Sequence, residues 1–187
     1  MPASIYLNQN PQALDLDAAM EQVCEQRRRY ALRYRKESDQ RLCLAAWLLL
    51  KRALREEFGI EEEPVFRYTE QGKPLLCGHE DIHFNLSHCD EAVACAVSHN
   101  PVGIDVEAYH HYSQELMTMT MNEEEQRQIL GAERPDVEFT RLWTMKESLL
   151  KCTGEGISDH LPTLLAISSP YQFRTSVDAR YDYTLCE

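Results

Sequence analysis

Two stretches of helical periodicity, separated by short strand-like runs, constrain the fold of this chain most strongly. Between residues 38 and 58, apolar side chains recur at intervals of three and four, which predicts an amphipathic helix that Ser38 caps and Gly59 ends. A second strong helix is predicted over 136–152, closed by Gly154. Strand-like runs lie between them at 65–68, 82–86, 92–98 and 102–107. The pattern predicts a mixed α+β fold.

The remaining segments repeat this mixture in both halves of the chain. Further helices are predicted over 17–36 and 113–130, and a β-hairpin over 172–186. Turn residues around Asn100 suggest a boundary there. The interpretation is two small subdomains, residues 1–100 and 101–187, lying side by side.

Charge and composition exclude several classes of function. The formal net charge of −12 over 187 residues argues against nucleic-acid binding, which needs a basic surface. No segment is long and apolar enough to cross a bilayer, and the first ten residues do not resemble a signal peptide. The seven cysteines lie in apolar contexts, which suggests reduced, buried thiols. We expect a monomeric cytoplasmic protein.

Residues 103–107 carry two acids at the spacing of a strand. Side chains alternate along a strand, so Asp105 and Glu107 share one face while Ile104 and Val106 share the other. Two neighbouring carboxylates repel each other unless a cation lies between them, and Mg²⁺ binds carboxylates together with substrate phosphates. The alternative is a half-buried edge strand with two solvated acids.

The helix that contains residues 143–151 carries an acid and a base one turn apart. Its core stripe places Glu147 and Lys151 on the opposite side. An exposed pair at this spacing contributes only about 0.3–0.5 kcal/mol. The functional interpretation makes Glu147 a third carboxylate at the metal and Lys151 a cation for a phosphate.

Seven of the 19 basic residues lie between residues 27 and 41, in an otherwise acidic chain. They form either an anion site or a solvated helix face. Arg41 falls in the first turn of a predicted helix, where a bound phosphate would offset its unfavourable position in the helix dipole.

Cysteine and histidine residues in the first half of the chain raise the alternative of a zinc site. Cys and His residues cluster between 77 and 89, although their spacing fits no familiar zinc motif; they are Cys77, His79, His83, His88 and Cys89.

Met117 and Met121 are four residues apart, and we expect them to share an exposed face that docks a protein partner.

The order of four segments resembles the surfactin-type phosphopantetheinyl transferases. The segments are 72–74 (GKP), 84–88 (FNLSH), 103–107 (GIDVE) and 143–156, and the resemblance spans about residues 27–158. It implies a pseudo-dimer of two similar α/β subdomains, with coenzyme A bound in the cleft between them. Gln26 stands where the family has a basic residue, and the chain after Ser158 is short for the family.

The resemblance also implies roles for individual residues. Metal ligands are Asp105, Glu107 and Glu147, and the catalytic residues are Glu147, Lys151 and His88. Glu147 helps to deprotonate the acceptor serine. Lys151 and His88 contact phosphates. The residues that bind coenzyme A are Arg29, Arg41, Gly72, Lys73, Pro74, Ser87, His88 and Lys151.

The implied reaction is a group transfer to a protein. A serine of an apo acyl or peptidyl carrier protein attacks the β-phosphate of coenzyme A in the presence of Mg²⁺, and 3′,5′-ADP leaves. A non-catalytic module that binds coenzyme A or a carrier protein is the alternative. A metal-binding set of three carboxylates favours the enzyme.

Overall fold

In the computed structural model, which describes residues 2–156, 160–166 and 170–187, runs of helices are separated by runs of strands along the chain. The helices are α1 (Leu16–Glu21), α2 (Glu25–Ala31), α3 (Glu37–Phe58), α4 (Gln114–Thr120), α5 (Glu123–Gly131) and α6 (Pro135–Thr153). The strands are β1 (Ser4–Asn8), β2 (Phe66–Tyr68), β3 (Pro74–Leu76), β4 (His83–His88), β5 (Val93–Ser98), β6 (Gly103–Ala108), β7 (Phe173–Val177) and β8 (Tyr181–Cys186). The predicted α+β class is confirmed.

Each half contains a three-stranded antiparallel sheet covered by one long helix. In the first half the strand order is β1-β5-β4, and α3 packs on this sheet through Leu50, Ala53 and Leu54. In the second half the order is β6-β8-β7, and α6 covers that sheet. Strands β2 and β3 form a separate two-stranded sheet. No helix in these described ranges combines the length and the apolar character that a membrane span requires.

The edge strands β4 and β6 of the two larger sheets meet through side chains. The side-chain oxygen of Asn85 on β4 accepts a hydrogen bond of 2.8 Å from the N–H of Ile104. Two residues further along, Ser87 Oγ accepts one of 3.2 Å from the N–H of Val106. These two side chains satisfy buried backbone donors of β6 that a neighbouring strand would otherwise pair. They therefore fix β6 relative to the first sheet.

Two predicted helices are each divided in two. The predicted helix over 17–36 ends at Glu21, restarts at Glu25 and ends at Ala31 rather than at residue 36. At the break, Arg28 Nε donates to the Val23 carbonyl at 3.0 Å. The predicted helix over 113–130 breaks at Met121, where Asn122 and Glu125 form a capping box that starts α5.

The boundaries of the two long helices are close to the predictions, with one correction. Gly59 ends α3 and Gly154 ends α6, both at positive φ, as expected for a helix terminus. The start of α3 was wrong: Lys36, not Ser38, is the N-cap, and no side chain caps this end. The hydroxyl of Ser38 instead donates to Asp39 at 3.4 Å.

Candidate active site

Strand β6 presents its acids and its apolar residues on opposite faces, as its alternation predicts. Ile104 and Val106 are fully buried in an apolar cluster with alanines of β5. Asp105 is 1% exposed, and Glu107 is half-buried. The two acids therefore do not lie on a solvated edge strand.

Helix α6 lies directly on β6 because the strand begins with a glycine. A Cβ at Gly103 would overlap the carbonyl oxygen of Ser148 and the amide nitrogen of Cys152. The absence of a side chain therefore lets the last two turns of α6 approach the strand. This approach brings Lys151 to the acidic face of β6.

Asp105, Ser87 and Lys151 form one polar cluster between the two halves. Lys151 Nζ lies 2.5 Å from Asp105 Oδ1, and it also donates to Ser87 Oγ at 3.1 Å. Ser87 Oγ in turn donates to Asp105 Oδ1 at 2.9 Å. One oxygen of the buried carboxylate is thus fully occupied, and its charge is balanced by Lys151.

The other oxygen of Asp105 and one oxygen of Glu147 have no partner. Both atoms, Asp105 Oδ2 and Glu147 Oε1, are buried and make no hydrogen bond. Burial and the charge of Asp105 raise the pKa of Glu147, and the same two causes raise the pKa of Glu107 to about 7. Unpaired carboxylate oxygens in such a place carry a large desolvation penalty that a bound cation would relieve. The donor set therefore fits a hard divalent ion such as Mg²⁺.

The carboxylates are not preassembled around an ion. Across residues 2–156, 160–166 and 170–187, no three or more His, Cys, Asp or Glu side chains are grouped to hold a metal. The same holds for the zinc alternative at 77–89, within these ranges, where no grouped set of ligands is present: Cys77 and His88 are exposed, and His79 pairs with Glu62 at 3.0 Å.

A cavity of about 200 Å³ lies beside this cluster and is lined from both halves. The first half contributes Gln71, Gly72, Lys73, Pro74 and Asn85, and the second half contributes Glu147, Leu150, Lys151, Gly154 and Gly156. Three predicted coenzyme A residues, Gly72, Lys73 and Pro74, are thus brought next to Glu147 and Lys151. Residues 157 and 158, at the end of the family-like stretch, lie outside the described residues.

The other predicted ligand residues are distributed differently. His88 lies at the end of β4 with part of its surface open to solvent, while partial burial of its ring, followed by the charge of Lys151, lowers its pKa. Arg29 pairs with Glu25 on a largely exposed face of α2. Arg41 donates to the Leu14 carbonyl at 3.1 Å and pairs with Glu37 at 3.0 Å. Neither arginine is among the described residues that line the cavity.

Sequence reasoning missed the role of Lys146, the neighbour of Glu147. Lys146 is completely buried, and its ammonium donates to the Thr120 and Leu161 carbonyls and to Glu125. The position of Lys146 along the helix could have indicated its burial. Lys146 follows Leu142 by four residues and therefore falls on the apolar stripe of α6. A charged residue on that stripe predicts a buried partner.

The expected methionine surface is wrong. Met117 and Met121 are 0% and 1% exposed and pack with Ile129. Helix α4 ends at Thr120, so Met121 lies beyond the helix and turns into the core. Met119, which lies between Met117 and Met121 in sequence, is instead exposed, at 71%.

Comparison with known proteins gives the same family for both halves. A model described as the 4′-phosphopantetheinyl transferase superfamily matches residues 101–180. A model described as 4′-phosphopantetheinyl transferase, N-terminal, matches residues 8–100.

Individual relatives carry the same name. A 4′-phosphopantetheinyl transferase of Bacillus subtilis is 30% identical over 158 residues, which cover 82% of this chain and 70% of that protein. 4′-Phosphopantetheinyl transferase gsp of Aneurinibacillus migulanus is 36% identical over 138 residues, or 72% of this chain and 57% of the relative. For psf-1 of Bacillus pumilus the identity is 34%, over 77% of this chain and 63% of the relative. The matches to these last two thus span less than two thirds of the relative's length. This chain belongs to the 4′-phosphopantetheinyl transferase superfamily.

Proposed function

We propose that this chain transfers the 4′-phosphopantetheine group of coenzyme A to a serine of an apo carrier protein. The observation that carries the proposal is the cavity between the halves, where Lys151 and Glu147 meet the segment 72–74. Membership of the family supplies the reaction class. The ion pair between buried Asp105 and half-buried Lys151, beside the cavity, supplies charges suited to a phosphate ester and its counter-ion.

We also propose that residues 1–100 and 101–187 are two domains of a pseudo-dimer with the active site in their cleft. Each half contains a three-stranded antiparallel sheet and one long helix, α3 or α6. The two family models match residues 8–100 and 101–180, which supports a boundary at this point.

The proposed cofactor is Mg²⁺, held by Asp105, Glu107 and Glu147. The two orphaned oxygens, on Asp105 and Glu147, support this assignment. When bound, the ion would supply positive charge to the pyrophosphate oxygens of coenzyme A. Without it, burial disfavours the ionised forms of Glu107 and Glu147.

In the proposed reaction the serine oxygen attacks the β-phosphorus of coenzyme A. A new phosphorus–oxygen bond forms to serine, the bond to the bridging oxygen breaks, and 3′,5′-ADP leaves with that electron pair. Glu147 accepts the serine proton, a role supported by its raised pKa and its place at the cavity. Lys151 and His88 stabilise charge on the phosphate oxygens.

The remaining proposed contacts hold the nucleotide end of coenzyme A. Gly72 and Pro74 line the adenine, and Ser87 orients Lys151 next to the phosphates. Arg29 and Arg41 are proposed for the 3′-phosphate. The glutamates that now pair with these arginines have side chains that are 73% and 69% exposed, so a phosphate can compete for both arginines.

The proposal places the reaction in the cytoplasm, on an apo acyl or peptidyl carrier protein. All seven cysteines lie within the described part of the chain and are free thiols, which suits a reducing compartment.

Intact-mass spectrometry tests the proposed function. The protein is incubated with coenzyme A, Mg²⁺ and a panel of apo carriers from fatty-acid, polyketide and peptide synthesis. At least one carrier gains the mass of one phosphopantetheine, and its serine-to-alanine variant gains none. Binding of coenzyme A without any mass gain across the panel would identify a binding module instead.

A further inference from the structure

We propose that Lys73 is a positioning residue, whose ammonium caps the end of α6 and thereby holds Lys151 in place. The inference rests on the proposed function for its catalytic consequence, although the contact itself belongs to the free protein. It assigns the Lys73 side chain to the second half of the molecule rather than to a phosphate of coenzyme A.

The contact satisfies two backbone acceptors at the end of α6. Lys73 Nζ donates to the carbonyl oxygens of Lys151 and Cys152, both at 2.7 Å. These carbonyls belong to the last helical turn, whose C=O groups have no partner within the helix. A cation at this end also interacts favourably with the helix dipole. Lys73 therefore acts as a helix cap supplied from the other half of the chain.

Lys73 is itself held rigidly enough to serve this purpose. Its carbonyl accepts from the Thr69 N–H, and its own N–H donates to Thr69 Oγ1, both at 3.0 Å. Its stem passes over Gly154, where a Cβ would lie 3.2 Å from Lys73 Cδ. The turn at residues 69–73 and the glycine after α6 thus set the path of the side chain.

Lys151 is therefore fixed from two sides. Its carbonyl is held by Lys73, while its ammonium reaches Asp105 at 2.5 Å and Ser87 at 3.1 Å. Loss of the cap would make the last turn of α6 more mobile, and the Lys151 ammonium would then be held less precisely. These two carbonyls use two of the three N–H donors of the Lys73 ammonium, so at most one donor remains for any other acceptor.

Hydrogen exchange of the protein without coenzyme A or metal tests the contact directly. In Lys73→Met, amides in the last turn of α6 should exchange about tenfold faster or more, because the two carbonyls would lose hydrogen bonds from a charged donor. Lys73→Arg should retain most of the protection. In transfer assays, kcat of Lys73→Met should fall, while KM should change by a similar small factor for coenzyme A and for dephospho-coenzyme A.

The matched control is Lys51→Met. Lys51 also donates to a backbone carbonyl, that of Gln22 at 3.3 Å, and pairs with Glu63 away from the cavity. This variant should leave exchange in α6 and the transfer kinetics unchanged. Should Lys73→Met fail to fold, the milder Lys73→Gln takes its place with the same readings.

The inference is overturned by unchanged α6 exchange in the Lys73 variant together with a rise in KM for coenzyme A that dephospho-coenzyme A does not share. That result would make Lys73 a 3′-phosphate ligand. Because the exchange experiment contains no substrate, its outcome is separate from whether any carrier is modified.

Discussion

The ammonium of Lys146 lies 2.7 Å from Glu125 Oε2, in a site where Lys146 is fully buried and Glu125 nearly so. The same oxygen accepts the N–H of Asn122, so the ion pair is part of the cap of α5. Lys146 also donates to the carbonyls of Thr120 and Leu161, each within 2.9 Å. One side chain therefore ties α6 to three neighbouring segments beside Glu147.

Lys146→Met should lower the free energy of unfolding by about 3–5 kcal/mol, because Glu125 would remain as an uncompensated buried charge. Urea denaturation measures this change. The double variant Lys146→Met/Glu125→Gln should recover part of the loss, since the amide oxygen can still accept from Asn122. A loss below about 1 kcal/mol in the single variant would show that the pair is dispensable.

Gly103→Ala should separate α6 from β6 and impair both stability and transfer. Its Cβ would overlap backbone atoms of Ser148 and Cys152, which cannot move independently of the helix. We expect a loss of about 1–3 kcal/mol or more on thermal unfolding, the usual range for overpacking. Gly131→Ala is the control, because nothing lies within 4 Å of a Cβ there. An equal effect of the two substitutions would contradict the close approach of α6.

The local parts of the site were predictable from sequence, whereas its long-range contacts were not. The alternation of acidic and apolar residues placed Asp105 and Glu107 on one face of β6. The helical spacing of apolar residues, together with Gly154 as the helix end, predicted the extent of α6. These predictions succeed because each depends on residues within a few positions of one another. The break between α1 and α2, where Arg28 donates to the Val23 carbonyl, is not encoded in the apolar periodicity of residues 17–36.

The contacts of Lys73 and Lys146 also depend on residues distant in sequence, which local patterns cannot predict. Lys73 lies far in sequence from Cys152, and Lys146 lies well beyond Glu125, so only the folded chain brings each pair together. For Lys73 the sequence suggested a coenzyme A segment but did not indicate the partners of its side chain, the carbonyls of Lys151 and Cys152. For the methionines, Met121 was placed on a helix that ends at Thr120, and its predicted exposure failed with that boundary.

Stability of the metal-free protein should depend on pH through Glu107. Burial, followed by the charge of Asp105, raises its pKa from 4.5 to about 7. Between these values the folded protein keeps a proton that the unfolded chain releases, so ionisation of Glu107 lowers stability as pH rises, and the penalty is complete above about pH 7. Glu107→Gln should therefore be more stable than the metal-free wild type at pH 8, with an advantage that disappears toward pH 4.5.

Added Mg²⁺ should reverse this order in thermal unfolding experiments at pH 8. A ligand that binds the folded state raises its stability, and the wild type retains a carboxylate that the glutamine variant lacks. Equal stabilisation of both proteins by Mg²⁺ would remove Glu107 from the proposed metal site.

The central claim, metal-dependent transfer through the carboxylates beside the cavity, is tested most directly by the transfer rate of Glu147→Gln. The rate is measured by intact mass of the carrier at saturating coenzyme A and Mg²⁺, after circular dichroism has verified folding. We expect transfer to be slower than wild type by roughly 10²–10⁴-fold, the scale for loss of a positioned acid–base group, and wild-type transfer to stop on chelation and resume with Mg²⁺. A folded variant that transfers at the wild-type rate, or full wild-type activity in excess chelator, would contradict the account.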